Sequence, residues 1–247
     1  MNTLTILIIC ITIYFIVLII TNAIVDSNKN NTTSTNLQST DLAHIKVVPA
    51  TNIVSDEQIQ RKIHQIWLGE KIVPKQTQDW INLCERYGYE YKLWRDKDLK
   101  NLINQKYFDQ MKSFGCFEGC IDIAKYEILY QNGGLFVDIN MIPVDLPIFD
   151  YLPKTGFAIT SDHNNLNLTS NQLILSCSKS SILKRVIDSL PINYENLKSN
   201  GQVVANKCTG SLLLNACLFG VFNVIDKKWI ITDSSKKHDF HLIESYH

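Results

Sequence analysis

Between Lys62 and Pro143 the spacing of apolar residues switches back and forth between a strand period and a helix period, which restricts the chain to few folds. KIHQIWL, residues 62–68, is a short apolar run ending at Gly69 and reads as a buried strand. Thr77 to Tyr87 has helical spacing through Trp80, Ile81 and Cys84, and YEYKLW, 89–94, alternates like a strand. From Glu118 to Gln131, Ile121, Ala124, Ile128 and Leu129 form one helical stripe, ended by Asn132, Gly133 and Gly134. LFVDINMIPV then begins as a strand and is stopped by Pro143. This succession predicts an α/β sandwich on a mostly parallel sheet.

The first 25 residues carry no charge, and the stretch from Leu4 to Val25 is long enough to cross a bilayer as a helix. A transmembrane anchor is therefore expected over 1–25. A cleaved signal peptide is the rival, since Thr21 and Ala23 offer a cut site, but the block is long for one and no Lys or Arg precedes it. Residues 26–57 open with a polar, Asn-, Ser- and Thr-rich tract that reads as a tether, leaving one domain over 58–247. Asn30, Asn31 and Asn167 stand in N-x-T contexts and would be acceptors in a secretory lumen.

Composition excludes two classes. The 24 basic side chains balance 24 acidic ones, so no basic excess suggests a nucleic-acid partner, and 45% hydrophobic residues exclude a disordered chain. Cys10 lies in the apolar block; Cys84, Cys116, Cys120, Cys177, Cys208 and Cys217 either pair or serve as small buried apolar residues.

Chemistry concentrates between residues 118 and 140. In an extended segment Phe136, Asp138 and Asn140 share one face, so a carboxylate and a carboxamide converge at a strand end, where open α/β sheets bind ligands. Two oxygen ligands there suit a hard divalent cation bridging nucleotide phosphates. Asp122 and Lys125, three apart, share a helical face.

The run CIDIAKYEILYQNGGLFVDIN resembles the signature A/S-D-x-x-R-Y-x-x-L-x-x-x-G-G-x-Y-x-D-x-D of glycosyltransferase family 32, whose members carry a DXD sugar-binding region. More distantly it is similar to the large clostridial glucosylating toxins. RKIHQIWLGEKIVPKQTQDW looks like the same family's first-strand I-P-K-x-I-H-x-x-W, and GYEYKLWRDKDL like its Y-x-x-x-L-W-x-D. The likeness covers residues 58 to 180 well and the rest loosely.

The resemblance implies a GT-A fold, a Rossmann-like nucleotide-sugar-binding domain, here behind the membrane helix. It makes Trp67 the aromatic that stacks on the donor base, although a core Trp would look the same in sequence. Asp122 matches the acid that contacts the ribose or donor sugar, and Lys125 stands in for the family's Arg, giving a point-charge contact in place of a bidentate one. Asp138 is the first acid of the DXD pair, and Asn140 replaces the second. Asp138, Asp122 and Lys125 are thus the catalytic candidates. NQLILSCSKSSIL, CTGSLLL and HLIESYH resemble later family segments in eroded form, which nominates Asn171 and Ser245 as donor contacts and His241 as a third metal ligand beside Asp138 and Asn140. The expected activity is retaining hexosyl transfer from a UDP- or GDP-sugar to a glycan, lipid or protein acceptor, with Mn²⁺ or Mg²⁺ as cofactor, in a Golgi-like lumen with type II topology. A catalytically inactive domain that binds glycans or nucleotide sugars is the alternative.

Overall fold

The computed structural model describes residues 45–49, 57–161, 169–201 and 204–218, with the backbone of 226–230, 232–233 and 239–244. The uncharged N-terminal block, the tether up to residue 44, Asn167, Ser245 and the side chain of His241 lie outside the described residues. Among the described residues, no helix is long and apolar enough to cross a membrane.

The elements begin β1 (Lys62–Ile66), α1 (Gln76–Tyr87) and β2 (Glu90–Trp94), then α2 (Gln105–Ser113), α3 (Phe117–Asn132) and β3 (Gly134–Val137). They continue with β4 (Met141–Ile142), α4 (Ile148–Tyr151), β5 (Phe157–Ser161), β6 (Thr169–Ser176) and α5 (Ser181–Ser199). The last are α6 (Ala205–Cys208), α7 (Ser211–Leu218), β7 (Asp226–Ile230), β8 (Thr232–Asp233) and β9 (Asp239–Glu244).

One sheet has the order β2-β1-β3-β6-β5-β9-β7, and β4 pairs with β8 apart from it. β1 runs parallel to β2 and β3. Every other pairing in the sheet is antiparallel, which corrects the expectation of a mostly parallel sheet. The reason is connectivity. Helices α1, α2 and α3 carry the chain back between β1, β2 and β3, whereas only residues 162–168 separate β5 from β6, too few for a crossover helix.

Ile63, Leu135, Val137, Leu173 and Leu175 from the sheet pack with Trp80, Leu83 and Cys84 of α1 and with Phe149 of α4. The Trp80 indole N–H donates to Met141 O at 2.7 Å, satisfying the polar atom that this burial would strand. Helix α3 is buried on nearly every face, including Asp122, Lys125 and Glu127, so it is a central helix rather than one with a single apolar stripe. Burial pushes the Glu127 carboxyl up, while it accepts the N–H groups of Ile103 and Asn104 ahead of α2. Part of the expected tether also packs: Ile45 is buried, Lys46 N–H donates to Asn193 Oδ1 and Val48 N–H to Ser189 Oγ. All six domain cysteines are free, and burial pushes the Cys84 and Cys120 thiols up to about 12, so they act as apolar packing groups.

Gly133 and Gly134 have φ of 64° and 99°, and a Cβ on Gly134 would lie 2.6 Å from Lys62 O. That close approach is what the Gly-Gly pair permits. His64 locks it from β1: its Nε2 lies 2.9 Å from Gly133 O and its Nδ1 accepts the Trp94 indole N–H at 3.2 Å. Only a neutral imidazole serves as donor on one nitrogen and acceptor on the other. Burial accordingly lowers the His64 pKa to about 4. A histidine depressed in the fold destabilises it as pH falls below the unfolded value of about 6.5, so lowering the pH from about 7 to about 5 should cost about 2 kcal/mol. Urea titrations at the two pH values test this; an equal stability at both would contradict it.

Candidate functional site

Because β1, β2 and β3 are parallel, their C-terminal ends open on one side of the sheet, and each is followed at once by a polar or aromatic residue. Trp67 follows β1, Arg95 and Asp96 follow β2, and Asp138 follows β3. β6 runs antiparallel to β3, so its start, with Asn171, reaches the same rim; Asp138 N–H donates to Gln172 O at 2.8 Å.

Trp67 is half-buried and its indole N–H donates to Lys71 O at 2.8 Å. It is therefore not a core tryptophan; Trp80 holds that place at 0% exposure. Asp138 and Asn140 are in a turn, since β3 ends at Val137. Asn140 N–H donates to Asp138 Oδ1 at 3.0 Å and Met141 N–H to Asp138 O at 3.1 Å. The alternation argument that put Phe136, Asp138 and Asn140 on one strand face thus does not hold beyond Val137: the Asp carboxylate bonds its own backbone two residues on and closes the turn. Asp138 is half-buried and Asn140 exposed.

On α3, Asp122 and Lys125 form a buried ion pair, Nζ to Oδ1 2.7 Å, with side chains only 11% and 5% exposed. Asn171 Nδ2 donates to the same Oδ1 at 2.9 Å, and Thr209 Oγ1 donates to Oδ2 at 3.1 Å. Lys125 Nζ also donates to Asn171 O at 3.0 Å and sits 5.3 Å from the Phe136 ring centroid. The structure therefore joins Asp122, Lys125 and Asn171 in one network, bound to Asp138 through β6. A Cβ on Gly210 would lie 2.8 Å from the Asn206 Cα, a backbone clash that explains the glycine after Thr209, and 3.1 Å from Asp122 Oδ2.

Sequence reasoning missed several participants. Gln65, fully buried, donates through Nε2 to Asp138 O at 3.3 Å and accepts the Tyr91 hydroxyl at 2.9 Å. A glutamine in the middle of an apolar strand was the available signal. Thr209 stands 87 positions from its partner Asp122, and its signal was the resemblance of CTGSLLL to a later family segment.

The fit of a divalent ion can be judged on donor chemistry. Asp138 Oδ2 takes no hydrogen bond from a described residue, and Asn140, two positions on in the same turn and exposed, offers a second hard oxygen donor in its side-chain amide. No group of three His, Cys, Asp or Glu side chains gathers among the described residues. These two donors would fill only part of a coordination shell, and the remaining oxygens would have to come from elsewhere.

No family model matches the chain. Inositol phosphoceramide mannosyltransferase 1 of Schizosaccharomyces pombe is 33% identical over 113 residues, 42% of this chain and 35% of that protein. The uncharacterized glycosyltransferase L373 of Acanthamoeba polyphaga mimivirus is 30% identical over 88 residues, 32% of this chain and 35% of that one. The chain thus spans about a third of the length of these curated relatives. Among solved structures, the PaToxG glycosyltransferase superposes with a TM-score of 0.54 at 18% identity, covering 74% of each chain, which establishes the fold. The chain is a relative of the glycosyltransferases, in sequence over this segment and in its GT-A-like fold over most of its length.

Proposed function

We propose that this protein transfers a hexose from a UDP- or GDP-linked sugar to a glycan, lipid or protein acceptor with retention of configuration. The observation that carries the reading is the convergence of Trp67, Asp138 and the Asp122–Lys125–Asn171 network on the side where the parallel strands end. Retention rests on the resemblance to family 32. The S. pombe relative is named for mannosyl transfer to inositol phosphoceramide, so mannose is the first donor sugar to screen.

Asp138 and Asn140 would hold Mn²⁺ or Mg²⁺, with His241 as a candidate third ligand. When bound, the ion would offset charge developing on the departing diphosphate. Asp122, already aligned by Lys125, Asn171 and Thr209, would present the rim of its carboxylate to a sugar hydroxyl. Lys125 has two of its three N–H groups committed to Asp122 and Asn171, so it supports the acid and leaves one donor for the ligand. Ser245 would approach the phosphates. A glycan- or nucleotide-sugar-binding protein without turnover is the second reading, favoured by the uncharged Asn140 and the internally satisfied Asp122.

If Trp67 stacks on the base, Trp67→Ala should weaken nucleotide binding by about 1–3 kcal/mol. Calorimetric titration with UDP and GDP measures this, beside a melting curve for folding. Unchanged affinity in a folded variant would remove Trp67 from the donor site.

The uncharged N-terminal block and sequon-bearing tether support a type II, Golgi-like placement with residues 58 to 247 in the lumen. Protease added outside sealed microsomes should leave that part intact; its digestion would contradict the topology.

A further inference from the structure

The turn that carries Trp67 is held at three points by the residues following β2. The first is a backbone bond, Trp67 N–H to Trp94 O at 3.0 Å, which any sequence in this register would make. The other two depend on side chains. Asp96 Oδ2 accepts the Gly69 N–H at 2.8 Å, and Arg95 Nη2 donates to Gly69 O at 2.7 Å. Both polar groups of one peptide residue are therefore taken by consecutive side chains of a neighbouring segment.

Gly69 has φ of 80°, in the left-handed region, and the chain reverses there to bring Lys71 O back to the Trp67 indole N–H. Little else restrains this stretch: Glu70 and Lys71 are exposed and Ile72 is 94% exposed. The clip is itself anchored. Lys112 of α2 donates to Asp96 Oδ1 at 2.6 Å, and Arg95 N–H donates to Asp98 Oδ2 at 2.9 Å, closing the single turn of 3₁₀-helix at Asp96–Asp98.

We propose that Arg95 and Asp96 are positioning residues for donor binding: through Gly69 they fix the Lys71 carbonyl, and through it the plane of the Trp67 indole. This rests on the reading that Trp67 stacks on the donor base. Without the clip the turn explores other conformations, and the ordering cost falls on nucleotide binding.

The test is titration of the full-length protein in detergent with UDP and with GDP, each with Mn²⁺. Asp96→Ala should weaken binding of whichever nucleotide the parent binds by about tenfold, and Asp96→Asn, which keeps an oxygen for Gly69 N–H, should recover most of it. The double variant Trp67→Ala with Asp96→Ala should bind no more weakly than Trp67→Ala alone, because Asp96 acts only through Trp67. A merely structural role would give additive losses, and additivity overturns the proposal. If Asp96→Ala does not fold, Arg95→Met takes its place with the same expectations. Parental affinity in a folded Asp96→Ala, with Trp67→Ala weakened, overturns the clip alone. Unchanged affinity in Trp67→Ala overturns the stacking reading and the proposal with it.

Discussion

Replacing Lys125 with methionine should destabilise the domain by about 3–5 kcal/mol, the scale for removing one partner of a buried ion pair. Asp122 would keep its bonds from Asn171 and Thr209 but would hold a charge, 8% exposed, with no cation beside it. The cost is that of the stranded carboxylate, so the double variant Lys125→Met with Asp122→Leu should regain a large part of the loss. Lys125→Arg should lose less than Lys125→Met, because it keeps the charge. Urea unfolding of the four proteins measures this. A loss below about 1 kcal/mol in Lys125→Met would mean that the pair behaves like an exposed one.

The second large effect concerns the β3 turn. Asp138→Ala should lower metal-dependent turnover about a hundredfold or more, since it removes the only carboxylate of the D-x-N pair. It should also loosen the turn, because Asp138 Oδ1 holds Asn140 N–H. Asp138→Asn separates the two effects: it retains an oxygen for the turn and removes the charge. Asn140→Asp should tighten Mn²⁺ binding about tenfold, because hard cations are held by ligand charge and oxygen count. Donor hydrolysis across a Mn²⁺ titration reads all of these. Parental activity in Asp138→Ala at every concentration would place the chemistry elsewhere.

The half of the sheet that bears the site was legible in the sequence because each boundary there has a local cause. The switch of period around Asn132, Gly133 and Gly134 marks the passage from α3 to β3, and the two glycines meet backbone that a side chain would strike. Asp122 and Lys125 fall three apart on a helix, and the structure joins them at 2.7 Å. What failed were inferences needing tertiary information. The antiparallel partners β5 and β6 are rich in Thr and Ser at their paired ends, Thr160 with Ser170 and Ser161 with Thr169, so they lack a clean alternation. Asp138 to Asn140 looked like continued strand because Ile139 and Met141 keep the alternation; only the side-chain bond back to Asn140 N–H reveals a turn. Gln65, Thr209 and the Arg95–Asp96 clip act on partners distant in sequence, so the motifs that contain Asp96 and Thr209 mark the positions but not the residues they hold.

The proposed function makes one central claim of these geometries, that the strand ends and α3 together hold and activate a sugar nucleotide. The most direct measurement is release of nucleotide diphosphate from UDP- and GDP-sugars, GDP-mannose and UDP-glucose first, by the full-length protein with Mn²⁺. Multiple turnovers with at least one donor, lost in Asp138→Ala, are the expected result. Saturable binding of a nucleotide sugar with no turnover of any donor, in the presence or absence of acceptor glycans and lipids, would contradict the transferase reading and leave a binding domain in its place.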